Sequence, residues 1–353
     1  MRLLPVEELK PGMKVARNIF GDDMCLLLSA GVTLTPSLIA RLKELEFNAI
    51  YIQDDIVDQI EAQELLSEKL KAESISVIRQ TFEKARLGTN IDIRRIASIT
   101  NSILDEVLSC SNLLVSIVDM RNRSSYHLSH SISVCTLSLL TGIALGYDQL
   151  KLFQLGLGAF LHDLGKSKID PALMIKQPPY TPKEAAIIQN HCREGFEILR
   201  KIPELNILSA HIAFQHHERY DGTGYPRGIK GNEIHPFAAI VAVTNTYDLL
   251  VSPPEGTGLF PAKALEIILK ERGRTFDPEI ALVFAQQVSP YPIGCNIRLS
   301  TGENAIVIST QKNSPTRPIV KLITDQHGKV RSKSFPEIAL SQHEDINIIE
   351  VYS

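Results

Sequence analysis

The sequence predicts a mostly α-helical protein with a small α+β module at its amino-terminal end and a small all-β appendage at its carboxy-terminal end. Apolar residues recur with helical spacing through residues 91–290. Two alternating, strand-like segments flank one helix within residues 1–54, and short strand-like segments separated by turn sequences fill residues 291–353. A chain of 353 residues is long enough for two or three domains.

The amino-terminal module, residues 1–54, is predicted to contain two strands and a helix. Residues 14–20 and 48–53 alternate between apolar and polar side chains, as strands do. The helix between them is expected from Pro36 to Phe47, because Thr35 is a good N-cap and proline is favoured in the first helical turn.

Residues 55–120 are predicted to form a helical connector. Residues 55–88 place apolar side chains at helical spacing among many charged ones, which indicates an amphipathic helix or two. The apolar face either packs on its own chain or serves as a dimerising or signal-transmitting surface. A homodimer through residues 55–90 is therefore one of two possibilities.

The third predicted domain, residues 121–290, is a bundle of helices. Together with Ile91–Ser109 in the connector, helical periodicity appears in the following segments: Ser131–Gly146, Leu150–Leu161, Lys183–Leu199, Leu205–His216, Phe237–Leu250, Pro261–Glu271 and Pro278–Gln287. The remaining residues, 291–353, read as a small β domain.

Composition excludes several classes of protein. The net charge is −3 and the pI is near 6.4, so no basic field points to nucleic acid. The five cysteines are scattered and odd in number, which is typical of reduced thiols and predicts a cytoplasmic location. The longest uncharged stretch, Ser131–Tyr147, contains only 17 residues, so we expect a buried core helix and no membrane span.

Histidine and aspartate side chains mark the candidate chemistry. His130, the pair His162-Asp163, His191 and the pair His216-His217 follow one another at intervals of 32, 29 and 25 residues. Each interval is about one helical hairpin, so antiparallel helices can bring these side chains into one bundle core. Imidazoles with a carboxylate suit Fe, Mn or Zn, and Asp163 can bridge two such ions. Two metals about 3.5–4 Å apart can clamp a phosphate for in-line displacement.

A glycine-rich loop follows the histidine pair, in the segment ERYDGTGYPRGIKGNEI. Two Gly, a Pro and an Asp within a few residues indicate a tight turn that lies close to its surroundings. Arg227 and Lys230 either meet a phosphate there or lie on a solvated loop.

The motifs HHERYDGTGYP and LHDLGK together resemble the HD-GYP family of cyclic di-GMP phosphodiesterases, a branch of the HD phosphohydrolases. The resemblance covers about residues 125–290 and implies an HD-type helical bundle. It also implies two divalent metal ions, most simply iron or manganese, whose ligands match the following residues: His130, His162, Asp163, His191, His216 and His217. Asp163 matches the bridging ligand, and Lys166 matches a lysine that contacts the scissile phosphate, so these two are the candidate catalytic residues.

The same resemblance implies a substrate and a place for it. The substrate is cyclic di-GMP, hydrolysed to linear pGpG or to GMP. Lys166 is a candidate substrate-binding residue, as are Gly224, Tyr225 and Arg227 of the glycine-rich loop. That loop is also a candidate contact for a protein partner.

The sequence departs from the family pattern in one region. Asn245 stands where the family has an aspartate ligand, and it remains a candidate, weaker metal ligand. Pro254 and Thr257 occupy positions at which members of the family have basic residues that bind substrate phosphates. Ala239 occupies a position at which arginine is common in the family. Tyr126 replaces the glutamate of trinuclear members, so a third metal is not expected. Three hypotheses follow: a cyclic di-GMP phosphodiesterase, a degenerate module that binds nucleotide or protein without turnover, or a phosphohydrolase with another substrate.

Overall fold

The computed structural model describes most of the chain. The described residues are 1–21, 25–45, 47, 49–54, 65–110, 126–174, 176, 179–254, 258–312, 314–331 and 334–352. Among them, buried apolar side chains form one cluster in the amino-terminal module, one large helical core and one in the carboxy-terminal sheet. The predicted fold class is confirmed.

The amino-terminal module is built on two small antiparallel sheets and one helix. Strands β1 (Arg2–Pro5) and β4 (Ala49–Ile52) pair with each other, as do β2 (Ile19–Phe20) and β3 (Leu26–Leu28). Helix α1 spans Pro36–Glu44. As predicted, it begins after Thr35, whose side chain accepts a hydrogen bond from the backbone of Leu38.

The predicted strand over residues 14–20 is wrong in its extent. Lys14 bridges Thr33 and Val15 bridges Ile52, whereas Ile19 pairs within β2 and β3. Because successive parts of the segment pair with different neighbours, one continuous ladder cannot form. The sequence analysis also missed β1, whose only partner in the sheet lies more than forty residues away along the chain.

Helices α2 (Glu68–Leu87) and α3 (Ile93–Ser109) precede the bundle and share its core. Ser67 caps the start of α2 through its side chain, and Gly88 ends it with a φ of 69°. The apolar side chains of α2, among them Leu70, Ile75 and Ile78, are buried against helices of the same chain. The first of the two alternatives for this amphipathic face therefore describes the structure, while residues 55–64 lie outside the described residues.

The bundle itself follows the predicted order of helices, with the addition of the short helix α6, which the sequence analysis missed. They are α4 (Tyr126–Ala144), α5 (Gln149–Phe160), α6 (Pro171–Met174), α7 (Pro182–Gln189), α8 (His191–Leu199), α9 (Ile207–Gln215), α10 (Pro236–Val251), α11 (Pro261–Lys270) and α12 (Pro278–Ala285). Helix α4 is buried on nearly all sides and packs against α2, α3, α5, α10 and α12. The uncharged stretch is thus a core helix, as expected. Within the described residues, no helix combines the length and the apolar character that crossing a membrane requires.

The single helix predicted for residues 183–199 is in fact two helices, with Asn190 between them. The turn at residues 164–168 packs closely against the start of the second helix. A Cβ added to Gly165 would lie only 1.9 Å from the carbonyl oxygen of His191. A side chain at residue 165 could not fit there. The break places His191, 1% exposed, as the first residue of α8.

The carboxy-terminal residues form a five-stranded antiparallel sheet, which confirms the predicted all-β appendage. Its strands are β5 (Asn296–Leu299), β6 (Asn304–Gln311), β7 (Ser314–Leu322), β8 (Glu337–Ala339) and β9 (Ile348–Tyr352), in the order β8-β7-β6-β5-β9. Only the short edge strand β8 was missed. The amino-terminal module contacts this region, because the backbone of Leu3 donates to the carbonyl of Gly294 at 3.0 Å.

Candidate metal centre

Four helix ends or starts carry the histidine and aspartate side chains to one point in the bundle. His130 lies in the first turns of α4, His162 and Asp163 directly follow α5, His191 begins α8, and the pair His216-His217 ends α9. Five of these six side chains are no more than 1% exposed, and His217 is half-buried. The structure brings all six together, as their spacing predicted.

Asp163 lies at the middle of the cluster. Its Oδ2 atom is 3.8 Å from Nε2 of His130 and 3.4 Å from Nε2 of His162. Its Oδ1 atom is 3.4 Å from Nε2 of His191 and 3.7 Å from Nε2 of His216. Each oxygen of one carboxylate therefore faces two imidazoles, which is the arrangement expected of a ligand that bridges two cations.

The cluster accordingly has two halves. The Oδ2 half consists of His130, His162 and the Oδ2 atom of Asp163, and the Oδ1 half consists of His191, His216, His217 and the Oδ1 atom. Donor atoms lie within 4.8 Å of one another in a group formed by His130, His162 and Asp163. The same limit holds for a second group, formed by His191, Cys192, His216 and His217.

Backbone carbonyls fix the orientation of three imidazoles. The acceptors lie about one turn earlier in the chain: Ala159 for Nδ1 of His162 at 2.8 Å, Ile188 for Nδ1 of His191 at 2.7 Å, and Ile212 and Ala213 for Nδ1 of His216 at 3.1 Å. A carbonyl only accepts, so Nδ1 carries the proton and Nε2 presents its lone pair to the centre. Such outer hydrogen bonds are typical of metal-binding histidines.

His130 is oriented by a carboxylate instead. Its Nδ1 atom lies 2.6 Å from Oδ2 of Asp248, a fully buried residue of α10. The sequence analysis gave Asp248 no role. In the structure it is the residue that orients His130. Asn245 lies one helical turn earlier on α10 and is 4% exposed.

The charge states suit a divalent cation. Burial lowers the pKa of His191 to about 4, and burial also lowers the pKa values of His130, His216 and His217. Burial opposes ionisation of Asp163, but the Lys166 ammonium and His162 outweigh it and hold the pKa of that carboxyl well below its usual value. At neutral pH these four imidazoles are neutral and Asp163 is charged, as metal ligation requires.

Two buried atoms in the cluster have no hydrogen-bond partner among the described residues. They are Oδ1 of Asp163 and Nε2 of His162. An unpartnered buried acceptor costs free energy, and that cost is large for a charged group. A cation at the centre would satisfy both atoms, so the residues present fit a metal ion, and nitrogen with carboxylate donors suits Fe, Mn or Zn.

Lys166 lies between the buried cluster and solvent. The residue follows Asp163 in the turn at residues 164–168, and its Nζ atom lies 2.6 Å from Oδ2 of Asp163. The lysine side chain is 20% exposed, whereas Asp163 is buried. The ammonium therefore sits on the Oδ2 half, where a phosphate could reach it from solvent.

The glycine-rich loop packs directly on the histidine pair. The ring of Tyr225 stacks on His217 with centroids 4.7 Å apart and planes 19° from parallel. A Cβ on Gly224 would lie 2.5 Å from the carbonyl oxygen of His217, so only glycine permits this approach. The buried Glu218 holds the far side of the loop, accepting backbone hydrogen bonds from Arg227 at 2.9 Å and Ile229 at 3.2 Å.

The remaining predicted positions are Arg227, which lies outside the histidine cluster, and the residues that depart from the family pattern. The exposed Arg227 places its guanidinium 5.9 Å from the ring centroid of Phe214 on α9. Tyr126 stacks on His130 with centroids 5.5 Å apart. Ala239 lines a cavity of about 170 Å³ beside Glu218. Thr257 lies outside the described residues.

Comparison with known families agrees with this geometry. Residues 112–280 match the HD domain family, and residues 296–353 match a family described as a KOW domain associated with HD domains. Residues 112–280 therefore form an HD domain, and the motifs LHDLGK and HHERYDGTGYP within them resemble those of its HD-GYP branch. The carboxy-terminal sheet, which the sequence analysis could not assign, is thereby identified as the KOW-type extension of such a domain.

Three relatives of this chain are named as cyclic di-GMP phosphodiesterases. One from Pseudomonas aeruginosa is 30% identical over 274 residues, which are 77% of this chain and 65% of that protein. One from Thermotoga maritima is 34% identical over 183 residues, 51% of this chain and 48% of the relative. A response regulator from Xanthomonas campestris pv. campestris is 28% identical over 228 residues, 64% and 59% respectively. The chain thus spans between about half and two thirds of the length of these relatives.

Proposed function

We propose that this protein is a metal-dependent phosphodiesterase that hydrolyses cyclic di-GMP to pGpG or GMP. The observation that carries the proposal is the Asp163 carboxylate, whose two oxygens each face two histidine Nε2 atoms. The substrate is supported by the relatives, which are named for this activity.

The proposed ligands are two sets of side chains joined by Asp163. The Oδ2 half offers His130 and His162, with Asn245 as a further, neutral oxygen donor, and the Oδ1 half offers the remaining three histidines. Two divalent ions such as iron or manganese, when bound there, would supply water activation and charge neutralisation at phosphorus.

The other groups act on the substrate or on the shape of the site. Lys166, whose ammonium lies 2.6 Å from Oδ2 of Asp163 and is partly exposed, would contact the scissile phosphate, where it would stabilise developing charge and protonate the leaving oxygen. Tyr225 and Gly224 hold the loop against His217 and border the substrate. Arg227 is the candidate for an outer phosphate contact.

The decisive experiment compares the metal-loaded protein with its metal-free form. Protein purified without oxygen is stripped of metal, reloaded with Fe²⁺ or Mn²⁺, and incubated with cyclic di-GMP, while pGpG and GMP are separated chromatographically. Hydrolysis that depends on the added metal is expected. Tight binding of cyclic di-GMP without product would instead favour the degenerate binding module, for which Asn245 is the main indication.

A panel of other substrates tests the third hypothesis. Cyclic di-AMP, 3′3′-cGAMP and linear pGpG are offered to the same metal-loaded protein, and cyclic di-GMP is expected to be cleaved fastest.

Three further statements stay predictions from the sequence. They are a protein partner at the glycine-rich loop, a homodimer through residues 55–90 and a cytoplasmic location.

A further inference from the structure

Cys192 places a thiol inside the Oδ1 half of the cluster. The residue follows His191 at the start of α8 and is fully buried. Its Sγ atom lies 3.6 Å from Nε2 of His191 and belongs to the donor group that includes His216 and His217. Sequence reasoning counted this cysteine only as one of five scattered thiols, because its position beside a predicted ligand carries no spacing signal of its own.

These donors are close enough for one cation to contact them together. Nε2 of His191 lies 3.3 Å from Nε2 of His216 and 3.6 Å from Sγ of Cys192. Metal bonds of about 2.0–2.1 Å to nitrogen and about 2.3 Å to sulfur can span such separations. A second, independent feature points to a ligand at this place, since Oδ1 of Asp163 is buried, has no hydrogen-bond partner among the described residues and faces the same histidines.

We propose that Cys192 is a metal ligand of the Oδ1 half and makes that half selective for zinc over manganese. The donors would be three imidazole nitrogens, the Cys192 thiolate and Oδ1 of Asp163. On binding, the thiol proton passes to solvent and a sulfur–metal bond forms, with no change of oxidation state. Thiolate ligands favour softer ions, whereas carboxylates and water suit manganese. The proposal rests on the metal centre of the proposed function.

The test follows the sulfur–metal bond rather than turnover. The metal-free full chain is titrated with Co²⁺ without oxygen, and the near-ultraviolet absorption of a thiolate–cobalt bond is recorded. We expect this band in the wild-type protein and in Cys295→Ala, which removes a buried thiol of the carboxy-terminal domain. We expect no band in Cys192→Ser. A band that persists in Cys192→Ser would overturn the proposal.

Two further measurements complete the test: the metal preference of Cys192→Ser and X-ray absorption of the wild-type protein. Competition between Zn²⁺ and Mn²⁺ should show the preference for zinc reduced by at least about 10-fold in Cys192→Ser, within the range seen when a metal site loses a supporting group. Should that variant not fold, X-ray absorption of the zinc-loaded wild type decides, because a sulfur neighbour at about 2.3 Å is required. A shell of nitrogen and oxygen alone refutes the role of Cys192, even in a protein that hydrolyses cyclic di-GMP. Sulfur ligation without hydrolysis refutes only the proposed function.

Discussion

The two halves of the metal centre share one carboxylate and differ in nearly everything else. The Oδ1 half gathers three histidines and a thiol, and two of its imidazoles are oriented by backbone carbonyls. The Oδ2 half gathers two histidines, one of them oriented by the buried Asp248, and its oxygen also contacts the Lys166 ammonium. One bridging group thus supports two unequal sites, and we expect the Oδ2 half to bind its metal more weakly.

The largest expected effect comes from removing the bridge itself. Asp163→Asn keeps the shape of the side chain but removes the carboxylate placed between the halves. We expect metal affinity to fall by more than about 100-fold in both halves, which exceeds the loss typical of a supporting residue. Metal content per chain and cyclic di-GMP hydrolysis measure the effect. Retention of one tightly bound metal would show that the Oδ1 half is independent of the bridge.

Lys166 separates catalysis from metal binding. Lys166→Met keeps the length of the side chain and removes the cation that lies 2.6 Å from Asp163. Hydrolysis should fall by about 100-fold, the scale of lost acid–base assistance, while metal affinity of the Oδ2 half is unchanged or higher. Metal content and single-turnover rates are compared with those of Lys168→Met, a nearby exposed control. Loss of metal from Lys166→Met would identify the lysine as structural.

Asp248 tests how far the Oδ2 half depends on its outer support. Asp248→Asn weakens the hydrogen bond to Nδ1 of His130. The affinity of the Oδ2 half for its metal should therefore fall by about 10–100-fold. Occupancy of the Oδ1 half should not change. Metal titration of this variant beside Asp345→Asn, an exposed position in the carboxy-terminal domain, reports the difference. Equal loss from both halves would mean that Asp248 supports the bundle rather than His130.

These roles show where sequence reasoning succeeds and where it stops. Most helices were predicted to within a few residues because apolar spacing and caps such as Thr35 are local signals. The histidines were found because hairpin spacing is also readable along the chain. Asp248 was missed as a partner of His130, since the two residues are 118 positions apart and only the packing of α10 on α4 joins them.

Other misses have the same physical origin. Strand β1 pairs with β4 across the whole amino-terminal module, and the break at Asn190 is associated with the contact of Gly165 on His191. The stacking of the Tyr225 ring on His217 was likewise not predicted. In each case a tertiary contact decides the role, and tertiary contacts leave no periodic pattern in the sequence.

A substitution at Asn245 could bring the metal affinity of the Oδ2 half closer to that of the Oδ1 half. Asn245→Asp adds a negative charge and a hard oxygen donor on α10, one turn from Asp248. If residue 245 reaches the Oδ2 half, metal retention there should rise by about 10-fold, as for other groups that support a metal site, and hydrolysis should rise with it. Metal occupancy and melting temperature are measured side by side. A lower melting temperature with unchanged metal would mean that the aspartate is a buried, unpaired charge.

Tyr225 should give the smallest effect and tests the Oδ1 half from outside. Its ring contributes a stacking contact to His217, worth about 0.5–1.5 kcal/mol in comparable aromatic pairs. Tyr225→Phe keeps that ring and should leave metal affinity unchanged, whereas Tyr225→Ala should weaken the Oδ1 half by no more than about 10-fold. If the phenol hydroxyl instead binds substrate, Tyr225→Phe alone will raise KM for cyclic di-GMP at full metal occupancy. The pair of variants therefore distinguishes a residue that orients His217 from one that meets the nucleotide.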